Sequence, residues 1–326
     1  MPGTDVLLVS LGSTAGLRAA DEELAAALRR AGASVAVAAA APPREVRTLA
    51  LTDLGWARAA RTAAVAGIAE HDPRAIVYCT TTAALLWPRR GAVRFDAPAA
   101  TNRPGRHGVW QRPLERRRLA QAALLVPQAP GALVEAGSPA TPSVVVPIPV
   151  EPSGPAAGER DIAAIAYAAN PHKKGLDRIL AAWAGARRDG EELVVCGTDR
   201  VPAAAGVRAT GVLGPEAYRA LLRRARVYVT APRREDYGVA QLEALADGCL
   251  LVTNAAPGPY AALPIARALD ERLVGDDLPG ALRTALDDPG PGYATRALAA
   301  LAPYRRAAVD AVVSAELLPR LLSPHT

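Results

Sequence analysis

The chain has 326 residues, of which half are apolar and 21% are charged, and its formal net charge is +6 at pH 7. This apolar content excludes a disordered chain, and the length predicts two domains of ordinary size. No stretch approaches about 18 uncharged apolar residues, so a membrane-spanning helix is not expected.

The three cysteines, Cys79, Cys196 and Cys249, each lie in or beside an apolar run. An odd number of cysteines in such surroundings predicts buried thiols in a reducing compartment. None has a second cysteine or a histidine pair at metal-ligand spacing, so no metal site is expected. The start of the chain does not resemble a signal peptide, and the expected location is the cytoplasm or the surface of a membrane.

The first half of the chain alternates between strand and helix patterns, which is typical of an α/β domain. The predicted strands are 6–10, 33–40, 75–79 and 92–95, and the predicted helices are about 17–31 and 54–69. This alternation predicts a Rossmann-like domain over residues 1–150.

A glycine-containing turn, LGSTAG, follows the first predicted strand and contains Gly12 and Gly16. It does not match the dinucleotide fingerprint G-x-G-x-x-G, because Gly12 and Gly16 are separated by three residues and no third glycine completes the required spacing. No acidic residue closes the second strand either, so a nicotinamide-dependent oxidoreductase is not favoured.

The stretch from Asp96 to Arg118 is the most basic part of the first half. It carries six arginines and a histidine around Trp110, opposed only by Asp96 and Glu115. Three interpretations remain open. The stretch is a surface that binds a substrate or an anionic lipid, a surface that binds nucleic-acid phosphates, or a solvated loop and helix. Nucleic acid is the least favoured, because aromatic residues make up only 4% of the chain and no known RNA-binding module is visible.

The second half repeats the alternation after a Pro-rich passage, 147–160, which predicts a linker. The predicted strands are 162–167, 192–197, 227–230 and 250–254, and the predicted helices are 176–188 and 215–225. The expected domains are therefore 1–150 and 151–303, followed by an amphipathic helical segment, 304–326.

Two carboxylates stand eight positions apart in the segment EDYGVAQLE, at Glu235 and Glu243. Glu235 follows a predicted strand, and Gly238 opens a predicted helix whose unpaired first-turn amides favour an anion. Glu243 lies about one turn into that helix among apolar neighbours, where a carboxylate is costly to bury unless strong donors meet it. Two vicinal sugar hydroxyls would satisfy it; the alternative is a solvated helical glutamate.

Only two of the 38 basic residues other than histidine are lysines, and they are adjacent, Lys173 and Lys174. They lie between a predicted strand and a predicted helix. A compact ammonium suits a phosphate as a point charge, and Lys174 is favoured over Lys173 for that role. The alternative is an ordinary exposed pair in a loop.

Together, the Glu235-to-Glu243 segment and the Lys174-Gly175 pair resemble the signatures of retaining glycosyltransferases of the GT-B fold, the family-four type. The resemblance covers most of residues 160–290. It implies that Glu235 holds the donor sugar with Tyr237 and Gly238 beside it. It also implies that Glu243 binds the ribose hydroxyls and that Lys174 grips the pyrophosphate.

The match to that family is incomplete around the phosphates. Asn170 stands where the family has an arginine, so one donor contact is neutral here, or Arg233 or Arg234 supplies the charge. In the family, the loop after the first strand brings a backbone amide to the donor phosphate. This implies Gly12 or Gly16, with plain turn formation as the alternative.

A family histidine beside the donor sugar is also missing from the strand end at 94–96. Asp96 is the nearest substitute and His107 is a looser candidate. The catalytic residues implied by the resemblance are therefore Glu235, Lys174 and Asp96.

The resemblance implies an α/β chain with two Rossmann-like domains facing each other across a cleft and a terminal helix that crosses back to the first domain. It implies a bacterial hexosyltransferase that uses a UDP- or GDP-sugar, an acceptor hydroxyl on a glycan, lipid or small molecule, and neither metal nor cofactor. Two alternatives remain: a non-catalytic sugar-nucleotide-binding protein, supported by Asn170, and a GT-B sugar-nucleotide epimerase.

Overall fold

The computed structural model describes residues 3–44, 46, 48–155 and 158–323. It divides the chain into two compact units. The first consists of the residues up to Pro149 together with those from Arg306 onward, and the second is Val150–Arg305. Each unit contains one parallel sheet of five strands, so the predicted α/β class is confirmed.

The first unit alternates strands with helices that connect them. In chain order its elements are β1 (Val6–Ser10), α1 (Ala15–Arg30), β2 (Val35–Ala39), α2 (Leu49–His71), β3 (Ala75–Tyr78), α3 (Thr81–Ala84), β4 (Ala92–Phe95), α4 (Ala99–Asn102), a 3-10 turn (Gly105–Gly108), α5 (Gln111–Gln121), β5 (Leu125–Pro127) and α6 (Pro130–Glu135). The strand order is β2-β1-β3-β4-β5.

The second unit repeats this plan. Its elements are β6 (Ile162–Tyr167), α7 (Pro171–Lys174), α8 (Leu176–Ala186), β7 (Leu193–Cys196), β8 (Val207–Gly211), α9 (Pro215–Arg224), β9 (Ala225–Thr230), α10 (Val239–Ala246), β10 (Leu250–Thr253), α11 (Ala262–Leu269), a 3-10 turn (Glu271–Leu273), α12 (Leu278–Asp287), α13 (Tyr293–Ala300) and a 3-10 turn (Ala302–Tyr304). The strand order is β10-β9-β6-β7-β8.

The end of the chain returns to the first unit. It consists of α14 (Arg306–Val312), one π-helical turn (Val313–Leu317) and α15 (Leu318–Leu322). Its apolar residues Val309, Val313, Leu317 and Leu321 join the core on the α1 side of the sheet. The terminal segment is therefore helical, as predicted, but interrupted.

Both faces of the first sheet are buried, because successive side chains of a strand point to opposite sides. Val6 and Leu8 of β1 belong to the core on the α1 side. Leu7 and Val9 belong to the core on the α2 side. All three cysteines are free thiols in buried positions, as predicted.

Two strands were not predicted from the sequence, β5 and β8. Both lie at an edge of their sheet. Much of β8 is polar or exposed, so it lacks the apolar run that marks the inner strands. Strand β5 does lie in an apolar run, 122–126, but it has only three residues, ends in proline and follows α5 closely. The segment 171–174, predicted as a loop, is the one-turn helix α7.

The order of strands in the second sheet creates a reversal point between β6 and β9. From β6 the chain runs outward to β7 and β8, and it then resumes on the other side with β9 and β10. In open α/β sheets, ligands bind at the carboxyl ends of the strands beside such a reversal. Helix α7 follows β6 and the segment with Glu235 follows β9.

No helix of the described residues combines the length and apolar character that a membrane crossing requires.

Gly175 brings the segment after β6 against the end of β9. It ends α7 in the left-handed conformation, with φ of +67°. A side chain there would overlap the carbonyl oxygen of Ala231, the first residue after β9. Only glycine permits this approach of the two loops.

Gly175→Ala is therefore expected to destabilise the protein more than Gly190→Ala. Gly190 has φ of +84° with open space around it, so its substitution costs only about 1–2 kcal/mol for a left-handed alanine. Gly175→Ala should cost roughly 1–3 kcal/mol more, because a backbone must move. Urea unfolding measures both changes, and equal losses would contradict the close approach.

Candidate active site

The segment that carries Glu235 is fixed through its backbone. The amide of Glu235 donates to the carbonyl oxygen of Pro257 at 3.0 Å. Gly258, with φ of +124°, lies so close to the Glu235 carbonyl that a side chain at 258 would overlap it. The loop after β10 therefore fixes the loop after β9 at Glu235, the residue that the sequence predicts as part of the site.

The Glu235 carboxylate meets Lys174 at the reversal point of the sheet. Lys174 Nζ donates to Glu235 Oε2 at 2.6 Å. The two side chains are 18% and 5% exposed, respectively. Because removing a carboxylate from water is costly, a buried one needs close donors. The pair thus connects the segment after β6 with the segment after β9.

Gln241 is a second donor to the same oxygen, and the sequence analysis missed it. Its Nε2 donates to Glu235 Oε2 at 3.0 Å, an orientation fixed by chemistry because a carboxylate can only accept. Its Oε1 is buried with no hydrogen-bond partner within the described part of the chain. The available signal was a polar residue in the first turn of α10, a helix whose remaining residues apart from Glu243 are apolar.

Gly238 makes room for this arrangement at the start of α10. It has φ of +87°. A side chain there would stand 3.0 Å from the ring of Tyr260 and 3.3 Å from Gln241 Oε1. Tyr237, also named from the sequence, is buried at 5% exposure, and its carbonyl accepts from the amide of Ala261 at 2.9 Å.

Lys173 and the two candidate arginines are engaged with other carboxylates. Lys173 Nζ donates to Asp236 Oδ2 at 2.7 Å, and Arg234 Nε donates to Asp236 Oδ1 at 2.8 Å. Burial opposes ionisation of Asp236, but Lys173 and Arg234 outweigh it and the pKa of this carboxyl lies below its usual value. Arg233 donates to Asp177 at 2.7 Å.

Asn170 has a local structural role that an arginine could not fill. Its side-chain oxygen accepts from the amide of Lys173 at 2.9 Å, which makes it the N-cap of α7. Asparagine is among the best N-cap residues. This accounts for asparagine at 170, and contact with a donor phosphate stays a prediction.

Glu243 lies on α10 beside Arg219. Arg219 Nη1 donates to Glu243 Oε1 at 3.4 Å, while the same guanidinium donates to Asp247 Oδ2 at 2.6 Å. Burial raises the pKa of Glu243; Arg219 opposes this shift and Asp247 adds to it. Its side chain remains 27% exposed. The carboxyl is thus partly desolvated and only weakly compensated.

Three of the predicted residues lie in the first unit. Gly12 has φ of +55°, and its carbonyl accepts from Arg18 Nη1 at 2.6 Å. Gly16 lies in the first turn of α1, exposed. Asp96 follows β4, and its Oδ1 accepts from the amide of Ala97 at 2.8 Å. Their assignment to a donor site stays a prediction, as does that of His107, which is exposed.

No three or more histidine, cysteine, aspartate or glutamate side chains converge as a metal-binding group within the described residues. The residues that do converge in the second unit are the Glu235 carboxylate, the Lys174 ammonium and the Gln241 amide, beside the amino end of α10. Such a set can hold hydroxyls and an anion at neighbouring points. Glu243 lies further along α10 and contacts Arg219 instead.

Solved structures of low sequence identity share the fold over nearly the whole chain. WaaG, a glycosyltransferase involved in lipopolysaccharide biosynthesis, matches with 13% identity and a TM-score of 0.69, over 98% of this chain and 100% of that one. Anabaena Alr3699/HepE in complex with UDP and glucose matches with 12% identity and a TM-score of 0.71, over 96% and 99%. These likenesses show the GT-B fold.

A third structure is an α,α-trehalose-phosphate synthase (UDP-forming) from Burkholderia xenovorans in complex with glucose-6-phosphate. It has 14% identity and a TM-score of 0.68, over 97% of this chain and 99% of that one. Residues 159–287 match the family model described as "Glycosyl transferases group 1". This match, which contains Lys174, Glu235 and Glu243, supports a glycosyl transfer function. No curated protein matches the chain.

The raised pKa of Glu243 predicts a pH-dependent effect of Glu243→Gln on stability. Below the usual value of 4.5, the carboxyl is protonated in both folded and unfolded chains. As the pH rises, the unfolded chain ionises first and the wild type loses stability. Glu243→Gln abolishes this loss, so the variant gains relative to wild type between pH 4 and pH 7.

Urea unfolding across that pH range measures the difference. Asp236→Asn is the control of opposite sign, because the depressed pKa of Asp236 stabilises the fold above 3.8 and this contribution disappears as the pH falls. A Glu243→Gln effect that is constant with pH would contradict the desolvated carboxyl.

Proposed function

We propose that the protein transfers a hexosyl group from a nucleoside-diphosphate sugar to an acceptor hydroxyl, with retention of configuration and without a metal ion. The observation that carries the proposal is the Lys174–Glu235 pair at the carboxyl ends of β6 and β9, beside the amino end of α10. The family match over residues 159–287 supports it.

Lys174 is assigned to the donor diphosphate. Its side chain is only 18% exposed, so the attraction of its ammonium to a phosphate is screened less than at the open surface. The first-turn amides of α10 add a second positive end. Together they stabilise the charge that grows on the departing nucleoside diphosphate, which is why the proposal needs no metal.

Glu235 is assigned to the hydroxyls of the transferred sugar. Lys174 and Gln241 both donate to Oε2, which fixes the carboxylate plane and directs Oε1 to the sugar. When Lys174 turns to the diphosphate, Gln241 still holds Oε2. Glu235 therefore orients the sugar, and the acceptor hydroxyl attacks on the face from which the diphosphate leaves.

Glu243 is assigned to the ribose. A vicinal diol offers two donors to a carboxylate that Arg219 compensates only at 3.4 Å. Hydrogen bonds to the ionised form favour that form. The nucleotide would therefore turn an unfavourable buried carboxylate into a satisfied one.

The donor is proposed to be UDP- or GDP-linked, with UDP tried first because one structural neighbour was solved with UDP and glucose. The acceptor is a hydroxyl of a glycan, a lipid or a small molecule. Contact of Arg103–Arg118 with an anionic membrane is a separate proposal about the first unit.

Binding of a sugar nucleotide without turnover would favour the non-catalytic alternative, and inverted stereochemistry at a ring carbon of the donor would favour an epimerase.

Thermal unfolding with UDP-, GDP-, ADP- and dTDP-sugars tests the donor site. A ligand at a hundredfold its Kd stabilises the fold by about 2.7 kcal/mol. We expect one nucleotide to stabilise wild type but neither Lys174→Ala nor Glu243→Ala. Lys173→Ala is the matched control, because this neighbouring lysine pairs with Asp236 instead, and it should keep most of the shift. Equal loss in both lysine variants would contradict the assignment.

Turnover kinetics test the roles of Glu235 and Gln241. Glu235→Gln should lower kcat about 10²-fold. Gln241→Leu should lower kcat about tenfold with little change in the Kd of the free nucleoside diphosphate. Gln111→Leu is the matched control, because Gln111 is equally buried and also has an unpartnered Oε1 but lies in the first unit. A Gln241 variant with wild-type kcat would show that the amide only fills space.

A further inference from the structure

The guanidinium of Arg219 on α9 contacts three separate parts of the second unit. Its Nε donates to Asp247 Oδ2 at 2.6 Å, and its Nη2 donates to the carbonyl oxygen of Glu151 at 2.7 Å. Its Nη1 reaches Glu243 Oε1 only at 3.4 Å. The side chain is 14% exposed. Arg219 is therefore bound closely to Asp247 and Glu151 and loosely to Glu243.

Asp247 determines where this guanidinium lies. It ends α10, four residues after Glu243, and its side chain is fully buried. Its Oδ1 accepts from the amide of Ser153 at 2.8 Å and from the Ser153 hydroxyl at 2.9 Å. Such a carboxylate keeps its donors, because losing one would leave a buried charge uncompensated. The position of Arg219 is therefore set by Asp247 rather than by Glu243.

The other ionisable side chains that act on Glu243 carry no positive charge at neutral pH. They are three phenols and one carboxylate, namely Tyr167 at the end of β6, Tyr218 on α9, Tyr228 on β9 and Asp247. Burial is the main reason that the pKa of each phenol is raised, and the charge of Glu243 adds to it. Among the described residues, Arg219 is thus the cation that offsets the charge of Glu243.

We propose that Arg219 and Asp247 are positioning residues that keep Glu243 available for the ribose of the donor. Their role rests on the proposed function, in which Glu243 accepts from the two ribose hydroxyls. A guanidinium nitrogen at 3.4 Å favours the ionised carboxylate and still leaves it able to accept closer hydrogen bonds. A guanidinium in close, bidentate contact would occupy both carboxylate oxygens. Asp247 prevents that contact by holding Arg219.

The experiment measures the Kd of UDP and of GDP, each beside its 2′-deoxy counterpart, by titration calorimetry of the full chain between about pH 5 and pH 8. The ratio of deoxyribonucleotide Kd to ribonucleotide Kd reports the hydrogen bond from the 2′-hydroxyl to Glu243. For the nucleotide that binds, wild type should give a ratio of about ten or more, as expected for a hydrogen bond to a charged group.

Arg219→Met removes the cation, so ionisation of Glu243 needs a higher pH. The ratio should be several-fold below that of wild type near pH 6 and similar to it near pH 8. Arg219→Lys retains a positive charge and should retain most of the ratio at both pH values. A purely structural role of Arg219 would weaken both nucleotides alike and leave the ratio unchanged.

Asp247→Asn tests the second positioning residue. The amide oxygen can still accept from Ser153, but the amide nitrogen cannot accept from Arg219. The guanidinium is then free to pair closely with Glu243, and the ratio should fall at every pH. This variant also covers the case in which Arg219→Met, which leaves a buried carboxylate without its cation, does not fold; thermal unfolding checks each protein.

Arg160→Met is the matched control. Arg160 donates to the carbonyl oxygen of Asp247 at 2.7 Å and to that of Ala225, so it lies at the same end of α10 but serves the backbone. Its ratio should equal that of wild type at every pH. Wild-type ratios in folded Arg219→Met or Asp247→Asn would overturn the proposal and leave the proposed function standing. A wild type that binds neither ribonucleotide, or that does not distinguish ribose from deoxyribose, would overturn the assignment of Glu243 to the ribose and this proposal with it.

Discussion

The ion pair between Lys174 and Glu235 is the interaction on which the rest of the site depends. It joins the segments that follow β6 and β9, the two strands at the reversal point of the second sheet. A buried pair of this kind contributes little net stability, since desolvation offsets attraction. Its importance is positional, because it sets an ammonium and a carboxylate at neighbouring points. In the proposed complex these two groups would meet a phosphate and the hydroxyls of a sugar nucleotide.

Three glycines make that position possible. Gly175 lets the end of α7 touch the backbone after β9, Gly258 lets the loop after β10 touch Glu235, and Gly238 leaves space for Gln241. All three have positive φ, which other residues adopt only at a cost. The backbone conformation at these glycines therefore sets where the side chains of Lys174, Gln241 and Glu235 meet.

The sequence predicted much of this arrangement but not its contacts. Inner strands such as β1 and β6 were readable because both of their faces are buried. The edge strand β8 is too polar to stand out, and β5 is too short and ends in proline. Glu235 and Lys174 could be named from a family motif and from the rarity of lysine in this chain. Gln241 could not, because its partner is set by the turn at Gly238. Likewise, no sequence pattern distinguishes Arg103, which meets Asp53, from Arg116, which meets solvent.

In the proposed reaction, Lys174 leaves Glu235 for a phosphate when the donor binds. A crystal structure of the protein with UDP and, separately, with a non-transferable UDP-sugar tests it most directly. We expect Lys174 Nζ to lie within hydrogen-bond distance of a diphosphate oxygen, Glu235 to contact the hexose hydroxyls, and the Gln241–Glu235 hydrogen bond to be retained. A nucleotide bound elsewhere, with the Lys174–Glu235 pair unchanged, would contradict it.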